Sequence, residues 1–367
     1  MPAWWRKRWG PGVNNRVSAL LGAMEAAAEG LPQTVLMEVC GTHTAAIERY
    51  AIRSVLPQNL HLISGPGCPV CVTPGEDVLR AVALAKRENV ILACFGDMLR
   101  VPANGQSLMA LREAGKEVRV VDSPLGALAI AQQEPEKQTV FFAVGFETTA
   151  PATAVLIQKA RALGLSNLSV LCAHKTMPMA LKTLLGGKTA VNGLLCPGHV
   201  AAVAGAEAFA FVGEALGLPG VVAGFEGEDL LLAILALTRM IRRGEAKVKN
   251  LYPRAVPEKA NPQAKALIQS VFSPANALWR GLGEIPESGL AIRREYGEFD
   301  AAARFDLPEI FFCEPEGCLC PSILRGEASP GECPLFGGLC TPQNPVGPCM
   351  VSAEGACGLH YRYEGGA

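Results

Sequence analysis

The chain alternates short apolar runs with longer stretches in which apolar residues recur at helical spacing. The short runs are rich in β-branched residues and apolar on both faces, which is typical of strands buried in a parallel sheet. Eight strands are predicted, at 35–39, 60–64, 90–95, 118–121, 140–144, 168–172, 191–195 and 220–223. Amphipathic helices are predicted at 74–87, 106–114, 152–163 and 229–243. This alternation indicates an α/β fold with parallel sheets.

The predicted strands fall into two sets of four, and strands in both sets end in turns of small residues that carry polar groups. Segment 37–50 resembles 144–157, and segment 63–78 resembles 194–209. Such a weak internal similarity can also arise by chance. We interpret it as two similar parallel-sheet α/β domains around a cleft, at 34–135 and 136–245.

Prolines interrupt the strand and helix pattern from about residue 250, around one further helix predicted at 263–272. The segment 313–357 is rich in Cys, Gly and Pro and has few periodic apolar residues. Because such a segment cannot build an apolar core alone, we expect a metal centre to hold it together instead. Residues 246–367, with the N-terminal segment 1–33, are predicted to form this third domain.

Composition and charge narrow the class of protein. Half of the 367 residues are apolar, 18% are charged and the net charge is -1, as in a globular protein. No basic run suggests nucleic acid or an anionic membrane surface as a partner. The charged N-terminus is not followed by a signal-peptide apolar region, and no apolar run approaches the ~18 residues of a membrane span. We therefore expect a cytoplasmic protein, whose thiols stay reduced.

Seven of the thirteen cysteines lie between residues 313 and 357. An odd number of cysteines in a reducing compartment argues against a framework of disulfides. The C-x-C spacing of Cys318 and Cys320, with wide gaps to the later cysteines, favours an iron–sulfur cluster over the C-x2-C pairs of zinc sites. The six cysteines from Cys318 to Cys357 outnumber the four ligands of one cluster, so two of them could form a redox-active disulfide. A structural zinc site remains the alternative.

Two further motifs follow neighbouring predicted strands. Cys68 and Cys71 form a C-x2-C at the start of a predicted helix, where a thiolate is favoured for redox chemistry or for binding a soft metal. Cys40 and His43 follow the preceding strand. Alone, that C-x2-H is better explained by a turn that contains one histidine with its hydrogen bonds satisfied. Because adjacent parallel strands end at the same edge, these three thiols and one imidazole could converge on one ion.

Weaker candidates follow other predicted strands, and a capping role explains each of them about as well as a functional one. They are Asp97, Arg100, Glu147, Thr148, Thr149, His174, Lys175, Cys196 and His199. Cys94 and Cys172 lie inside strands and are predicted to be buried and inert. No glycine-rich phosphate-binding loop is present in the sequence, which disfavours a nucleotide enzyme.

Several motifs taken together resemble the hydrogenase maturation factor HypD family. They are MEVCGTHT at 37–44, GPGCPVCVTP at 65–74, FGDMLRVP at 95–102, GFETTAPATA at 145–154, CPGHV at 196–200 and CPLFGGLCTPQNPVGPCMVSAEGAC at 333–357. The resemblance extends from about residue 34 to residue 363. It implies two α/β domains around a cleft and a 4Fe-4S domain resembling ferredoxin–thioredoxin reductase.

The resemblance also implies a function. Members of the family form a scaffold with the chaperone HypC, on which the Fe(CN)2CO unit of nickel–iron hydrogenase is assembled, and HypE delivers the cyanide. By resemblance, Cys40, Cys68 and Cys71 bind or reduce at the scaffold iron with His43 beside them. Cluster ligands are expected at Cys320, Cys333, Cys340 and Cys357, with Cys318 and Cys349 as the adjacent redox pair.

From these assignments we expect Cys40 to be a thiolate iron ligand with a lowered pKa. Cys68 and Cys71 would cycle between dithiol and disulfide, fed one electron at a time from the C-terminal cluster. The alternatives are a stand-alone iron–sulfur thiol–disulfide reductase and a zinc-stabilised assembly module.

Overall fold

Two parallel β-sheets form the body of the protein in the computed structural model, which describes residues 9, 15–307 and 310–363. The first sheet has the strand order β2-β1-β7-β8-β9 and the second the order β4-β3-β5-β6, and all pairs within them are parallel. The strands are β1 (Thr34–Glu38), β2 (Leu60–Ser64), β3 (Val90–Cys94), β4 (Val118–Val120), β5 (Gln138–Gly145), β6 (Leu168–His174), β7 (Val191–Cys196), β8 (Gly220–Val222) and β9 (Val248–Asn250). All eight predicted strands are therefore confirmed.

Helices connect these strands and cover the faces of the sheets. They are α1 (Asn15–Ala28), α2 (Gly41–Arg49), α3 (Pro69–Val72), α4 (Gly75–Lys86), α5 (Leu108–Glu113), α6 (Pro124–Gln133), α7 (Ala150–Ala162), α8 (Met177–Leu185), α9 (Gly198–Ala204), α10 (Phe211–Glu214), α11 (Gly227–Arg242) and α12 (Pro262–Val271). Within the described ranges, none of the helices has the length and hydropathy needed to cross a membrane.

The predicted grouping of the strands was wrong. Each sheet takes two strands from 34–135 and two from 136–245, because the chain leaves the first sheet after β2, builds the whole second sheet, and returns at β7. The fifth strand of the first sheet, β9, comes from the region predicted to form the third domain. Apolar periodicity identifies a buried strand but not its neighbour, and an α-helical crossover can lead to either sheet. Both sheets are consequently parallel and α/β, as expected, but the first one is discontinuous in sequence.

One buried apolar cluster joins the two sheets to the C-terminal region. It contains Met37 of β1, Phe142 of β5 and Leu194 of β7, together with Cys320 and Cys349. The opposite faces of the sheets have separate cores, in which α1 and α11 cover the first sheet and α6 and α7 cover the second. The cysteine-rich segment is thus packed onto the body as part of the central core.

The segment after β9 contains a structure that the sequence did not indicate. An antiparallel hairpin, β10 (Phe272–Trp279) and β11 (Gly283–Ile292), lies where a linker was expected. Its first strand reads FSPANALW, in which small and polar residues hide the period of two that the burial pattern shows. The helices that follow are short: α13 (Ala301–Arg304), α14 (Cys320–Leu324), α15 (Pro348–Val351) and α16 (Ala356–Tyr363).

Candidate metal and thiol redox sites

The carboxyl ends of β1, β2 and β7 meet at one edge of the first sheet. Glu38 at the end of β1 is level with Ser64 of β2 on one side and with Leu195 of β7 on the other. The loops that follow these strands carry Cys40, Cys68 and His199, so parallel pairing brings all three to the same edge. This is the edge at which the sequence placed the Cys40 and Cys68 motifs.

Cys40 occupies the N-cap of α2 and is 6% exposed. Its backbone N–H donates to Oε2 of Glu38 at 3.0 Å, and the hydroxyl of Thr44 donates to Oε1 of the same carboxyl at 2.6 Å. Glu38 itself is fully buried, and this burial raises its pKa. The buried carboxyl therefore fixes the path of the chain through Cys40.

The predicted lowering of the Cys40 pKa was wrong. Burial raises the pKa of the Cys40 thiol to about 12; a hydrogen bond from the His43 backbone opposes this, and the carboxylates of Glu354 and Glu38 add to it. A helix N-terminus favours a thiolate only where the sulfur keeps enough contact with water. Cys40 is thus a protonated thiol at neutral pH until a cation replaces its proton.

The loop with Cys68 lies directly against the Cys40 loop. The backbone N–H of Gly41 donates to the carbonyl of Gly67 at 3.0 Å, and a Cβ on Gly67 would lie 2.3 Å from the Cys40 nitrogen. Cys68 caps the N-terminus of α3 and forms a disulfide with Cys71, whose N–H donates to the Cys68 sulfur at 3.1 Å. The C-x2-C thus starts a helix, as predicted, and its two sulfurs are close enough to form a disulfide.

His43 is fully buried on α2 and is directed toward the end of β8. Its Nε2 donates to the carbonyl of Ala223 at 3.2 Å, and its ring packs against Phe225 with centroids 4.9 Å apart. Burial lowers its pKa to about 4, so the ring is neutral. Nδ1 has no hydrogen-bond partner among the described residues. The neutral ring therefore keeps one nitrogen lone pair available.

Glu354 is a residue at this edge that the sequence reasoning missed. The Thr42 hydroxyl donates to Oε1 of Glu354 at 2.7 Å and lies 3.3 Å from Nδ1 of His199. Since its single proton goes to the carboxylate, the hydroxyl accepts from His199. A Cβ on Gly41 would lie 2.4 Å from Cβ of Glu354, so the C-terminal segment lies tightly over the start of α2. Glu354 lies within the C-terminal motif at 333–357, whose cysteines alone were taken as candidate site residues.

Two of the weaker candidates hold the C-terminal segment in place. Asp97 accepts a hydrogen bond of 3.1 Å from the Ser352 hydroxyl, and Arg100 donates to the carbonyl of Pro342. Glu147 accepts at 2.9 Å from the N–H of Met177 at the start of α8. Burial raises the pKa of Glu147 to about 7.

His174 ends β6 of the second sheet and Lys175 follows it, and both side chains are buried. His174 bonds the Thr153 hydroxyl at 2.8 Å, and Lys175 donates to the carbonyl of Leu278 at 2.8 Å. Both contacts are structural. Cys94 and Cys196 are buried in strands, whereas Cys172 is partly exposed and its sulfur donates to the carbonyl of Leu290.

The six C-terminal cysteines converge around α14 and α15. The sulfurs of Cys320 and Cys349 are 2.9 Å apart and hydrogen-bonded. Cys340 accepts from the N–H of Val346 at 3.4 Å. A Cβ on Gly347 would lie 3.3 Å from the Cys318 sulfur and 3.5 Å from Cβ of Cys320, so glycine leaves room for the thiols there.

The structure brings Cys349 against Cys320, whereas the sequence paired Cys349 with Cys318. The C-x-C spacing could not decide between two cysteines one residue apart, because α14 begins between them and turns only Cys320 into the core. With Cys320 in the pair, the four other thiols are Cys318, Cys333, Cys340 and Cys357.

By residue type the donor set fits an iron–sulfur cluster, since four cysteine thiolates are its usual ligands and backbone hydrogen bonds to sulfur tune its potential. Within the described ranges, no three His, Cys, Asp or Glu side chains already stand in the arrangement of a metal site. Four of the sulfurs are paired with each other and so are not free as metal ligands: Cys68 with Cys71 in a disulfide, and Cys320 with Cys349 in a hydrogen bond.

The two thiol pairs lie on adjoining helices. Helix α15, which carries Cys349, packs against α3, which carries Cys71. Helix α16, which carries Cys357, packs against α2, which follows Cys40. The C-terminal cysteines are therefore held directly against the Cys40 edge of the first sheet.

Comparison with known proteins gives consistent matches over most of the chain. The HypD family model, described as "Hydrogenase formation hypA family", matches residues 15–364. Hydrogenase maturation factor HypD of Azotobacter vinelandii is 48% identical over 93% of each chain. Hydrogenase expression/formation protein HupD of Azotobacter chroococcum is 47% identical over 94% of this chain and 93% of its own. HypD of Rhizobium leguminosarum bv. viciae is 44% identical over 89% and 87%.

Replacing Gly67 with alanine is expected to lower the free energy of unfolding by about 2 kcal/mol or more, because the new Cβ would collide with the backbone of Cys40. Gly22→Ala is the control, since Gly22 lies on the exposed face of α1 with nothing within 4 Å of a new Cβ. It should stabilise the helix by up to about 1 kcal/mol. Urea unfolding of both variants measures the difference, and equal stabilities would contradict the close approach of the two loops.

Proposed function

The chain belongs to the HypD family of hydrogenase maturation factors, and on that premise we propose that it is the scaffold on which iron receives its cyanide and CO ligands. One observation carries the proposal. The thiol of Cys40, the Cys68–Cys71 disulfide and the C-terminal cysteines are packed together at one edge of the first sheet. Such an edge can hold an iron ion and exchange electrons beside it.

Cys40 is the proposed first ligand of the iron substrate, because it is a thiol while Cys68 and Cys71 are bonded to each other. Binding of iron displaces the thiol proton, since only the thiolate is a ligand. Opening the disulfide adds two more soft donors at the same edge. The redox state of Cys68 and Cys71 therefore sets how many protein sulfurs the iron can use. The lone pair on Nδ1 of His43 is a further donor on the same helix.

Reduction of the Cys68–Cys71 disulfide takes two electrons and two protons and gives two thiols. The proposed source is the neighbouring pair Cys320 and Cys349, because α15 packs directly on α3. Transfer between the pairs would be a thiol–disulfide exchange, in which one S–S bond forms as the other breaks. Cys318, Cys333, Cys340 and Cys357 would hold a 4Fe-4S cluster, which would supply single electrons when bound.

HypC is the proposed stable partner and HypE the proposed cyanide donor, and the support for both is the family resemblance. A cytoplasmic location belongs to the same proposal. The relatives' names refer to hydrogenase maturation, expression or formation, and none of them supports the alternative of a stand-alone reductase.

Replacing Cys40 with alanine should leave the fold and the visible absorbance of the cluster intact, because Cys40 lies outside the C-terminal thiol group. The complex with HypC, purified anaerobically, should lose the Fe–CO and Fe–CN infrared bands and the scaffold iron. Cys313→Ala is the matched control, since Cys313 is an exposed free thiol. It should keep both. Infrared bands that persist in Cys40→Ala would remove Cys40 from the ligand set.

Variants of the C-x-C decide between the two assignments of the cluster ligands. Cys318→Ala and Cys333→Ala should each lose the visible absorbance of the 4Fe-4S cluster, whereas Cys320→Ala should keep it, because Cys320 is engaged with Cys349. Absorbance spectra and iron counting on anaerobic protein measure this. Loss in Cys320→Ala together with retention in Cys318→Ala would restore the assignment made from the sequence. Zinc without iron in the wild type would select the zinc-stabilised module instead.

A further inference from the structure

The turn at 352–355 joins the two C-terminal helices that pack on the Cys40 edge. It follows α15, which packs against α3, and it precedes α16, which packs against α2. Cys40 is the N-cap residue of α2 and Cys68 is that of α3, and both are buried. Because its two helices rest on these two helices, the turn lies beside the loops that carry Cys40 and Cys68.

Glu354 is the residue of this turn that touches α2. A Cβ on Gly41, which directly follows Cys40, would lie 2.4 Å from Cβ of Glu354 and 2.8 Å from its Oε2. The Thr42 hydroxyl donates to Oε1 of the same carboxylate at 2.7 Å. The turn therefore covers the first residues of α2, next to Cys40. If Glu354 moved away from α2, that side of Cys40 would open to solvent.

Ser352 holds Glu354 from within the turn, and Asp97 of the second sheet holds Ser352. The Ser352 hydroxyl oxygen accepts the backbone N–H of Glu354 at 3.1 Å, and the same hydroxyl donates to Oδ2 of Asp97 at 3.1 Å. Ser352 is buried, and the second bond ends on a carboxylate, which makes it stronger than a bond between neutral groups. A chain of two hydrogen bonds thus runs from Asp97 to the backbone of Glu354.

Asp97 belongs to a short 3-10 helix, Gly96–Arg100, that directly follows β3 of the second sheet. Arg100 of the same helix donates to the carbonyl of Pro342, which is a second link between this helix and the C-terminal segment. The turn at 352–355 is therefore held from two sides, by the first sheet through α2 and by the second sheet through Asp97. The motif at 95–102, which contains Asp97, has no part in the proposed function so far.

From this geometry we propose that Asp97 is a positioning residue, which holds the turn at 352–355 over the start of α2 through Ser352 and thereby restricts access to Cys40. The inference rests on the proposed function, in which Cys40 is the first ligand of the iron substrate. A closed turn keeps water and oxidants away from that site, and iron reaches Cys40 when the turn opens. Local opening costs less free energy than global unfolding, so the contacts that close the turn set how often the thiol can be reached.

The test measures how fast iodoacetamide alkylates Cys40 in the full chain, purified anaerobically with its cluster and without added iron. Peptide mass spectrometry follows Cys40, Cys196 and Cys313 in the same sample. Cys313 is exposed and reports the activity of the reagent, whereas Cys196 is fully buried in β7 and reports global unfolding. A change that is confined to Cys40 therefore measures opening of the turn, without an activity assay.

D97A should raise the alkylation rate of Cys40 about tenfold, because losing a hydrogen bond to a charged group shifts an opening equilibrium by roughly that factor. D97N keeps an oxygen that accepts from Ser352, so its rate should lie between those of D97A and the wild type. D122A is the matched control, since Asp122 is exposed and lies just after β4 of the same sheet. It should leave the rate unchanged.

S352A removes the same hydrogen bond from its other end and should raise the Cys40 rate at least as much as D97A does. The double variant D97A/S352A should react no faster than S352A, because the two side chains act through one bond. An unchanged Cys40 rate in D97A or in S352A would overturn the inference, and so would additive effects in the double variant. A D97N rate equal to that of D97A would also contradict it. If D97A does not fold, S352A alone decides.

A rise in the Cys40 rate that Cys196 shares would count against the inference as well, because it indicates a general loss of stability. Failure of the inference is distinguishable from failure of the proposed function. Alkylation needs neither iron nor a partner, so an unchanged rate refutes only the role of Asp97. Infrared bands that persist in Cys40→Ala would refute the iron ligand, whatever the alkylation rates are.

Discussion

The parallel pairing of β1 with β2 on one side and with β7 on the other is the constraint on which the candidate site depends. It places the loops after three strands, which are far apart in sequence, at one edge. The loops can then touch only because Gly67 lacks a side chain and Glu38 is buried where it can hold the Cys40 backbone. Sheet register, one glycine and one buried carboxyl together determine where Cys40 and Cys68 stand.

The positions of the strands could be predicted from the sequence more accurately than the way in which the strands pair. Buried parallel strands are apolar on both faces, so all eight could be identified from local pattern. The pairing of β1 with β7 could not be, because it depends on a crossover through the whole second sheet. The hairpin of β10 and β11 was missed for a different reason. Its residues are small and polar, and what buries them is the tertiary packing around Trp279.

The location of the site was likewise easier to predict than its electrostatics. Motif spacing placed Cys40, Cys68 and Cys71 after strand ends, where the structure has them. The pKa of Cys40 depends instead on how much water reaches its sulfur, and no local pattern records that. Burial dominates over the helix N-terminus here. The choice between Cys318 and Cys320 also depends on which side chain the first turn of α14 directs inward.

Burial also couples protons to electrons in this protein. Cys40, Cys320 and Cys349 are all at most 6% exposed, so a charge that appears on any of them cannot be neutralised by water. Each must be balanced by a proton, a metal ion or a fixed charge within the core. At the Cys40 edge the balancing charge can be the iron substrate itself.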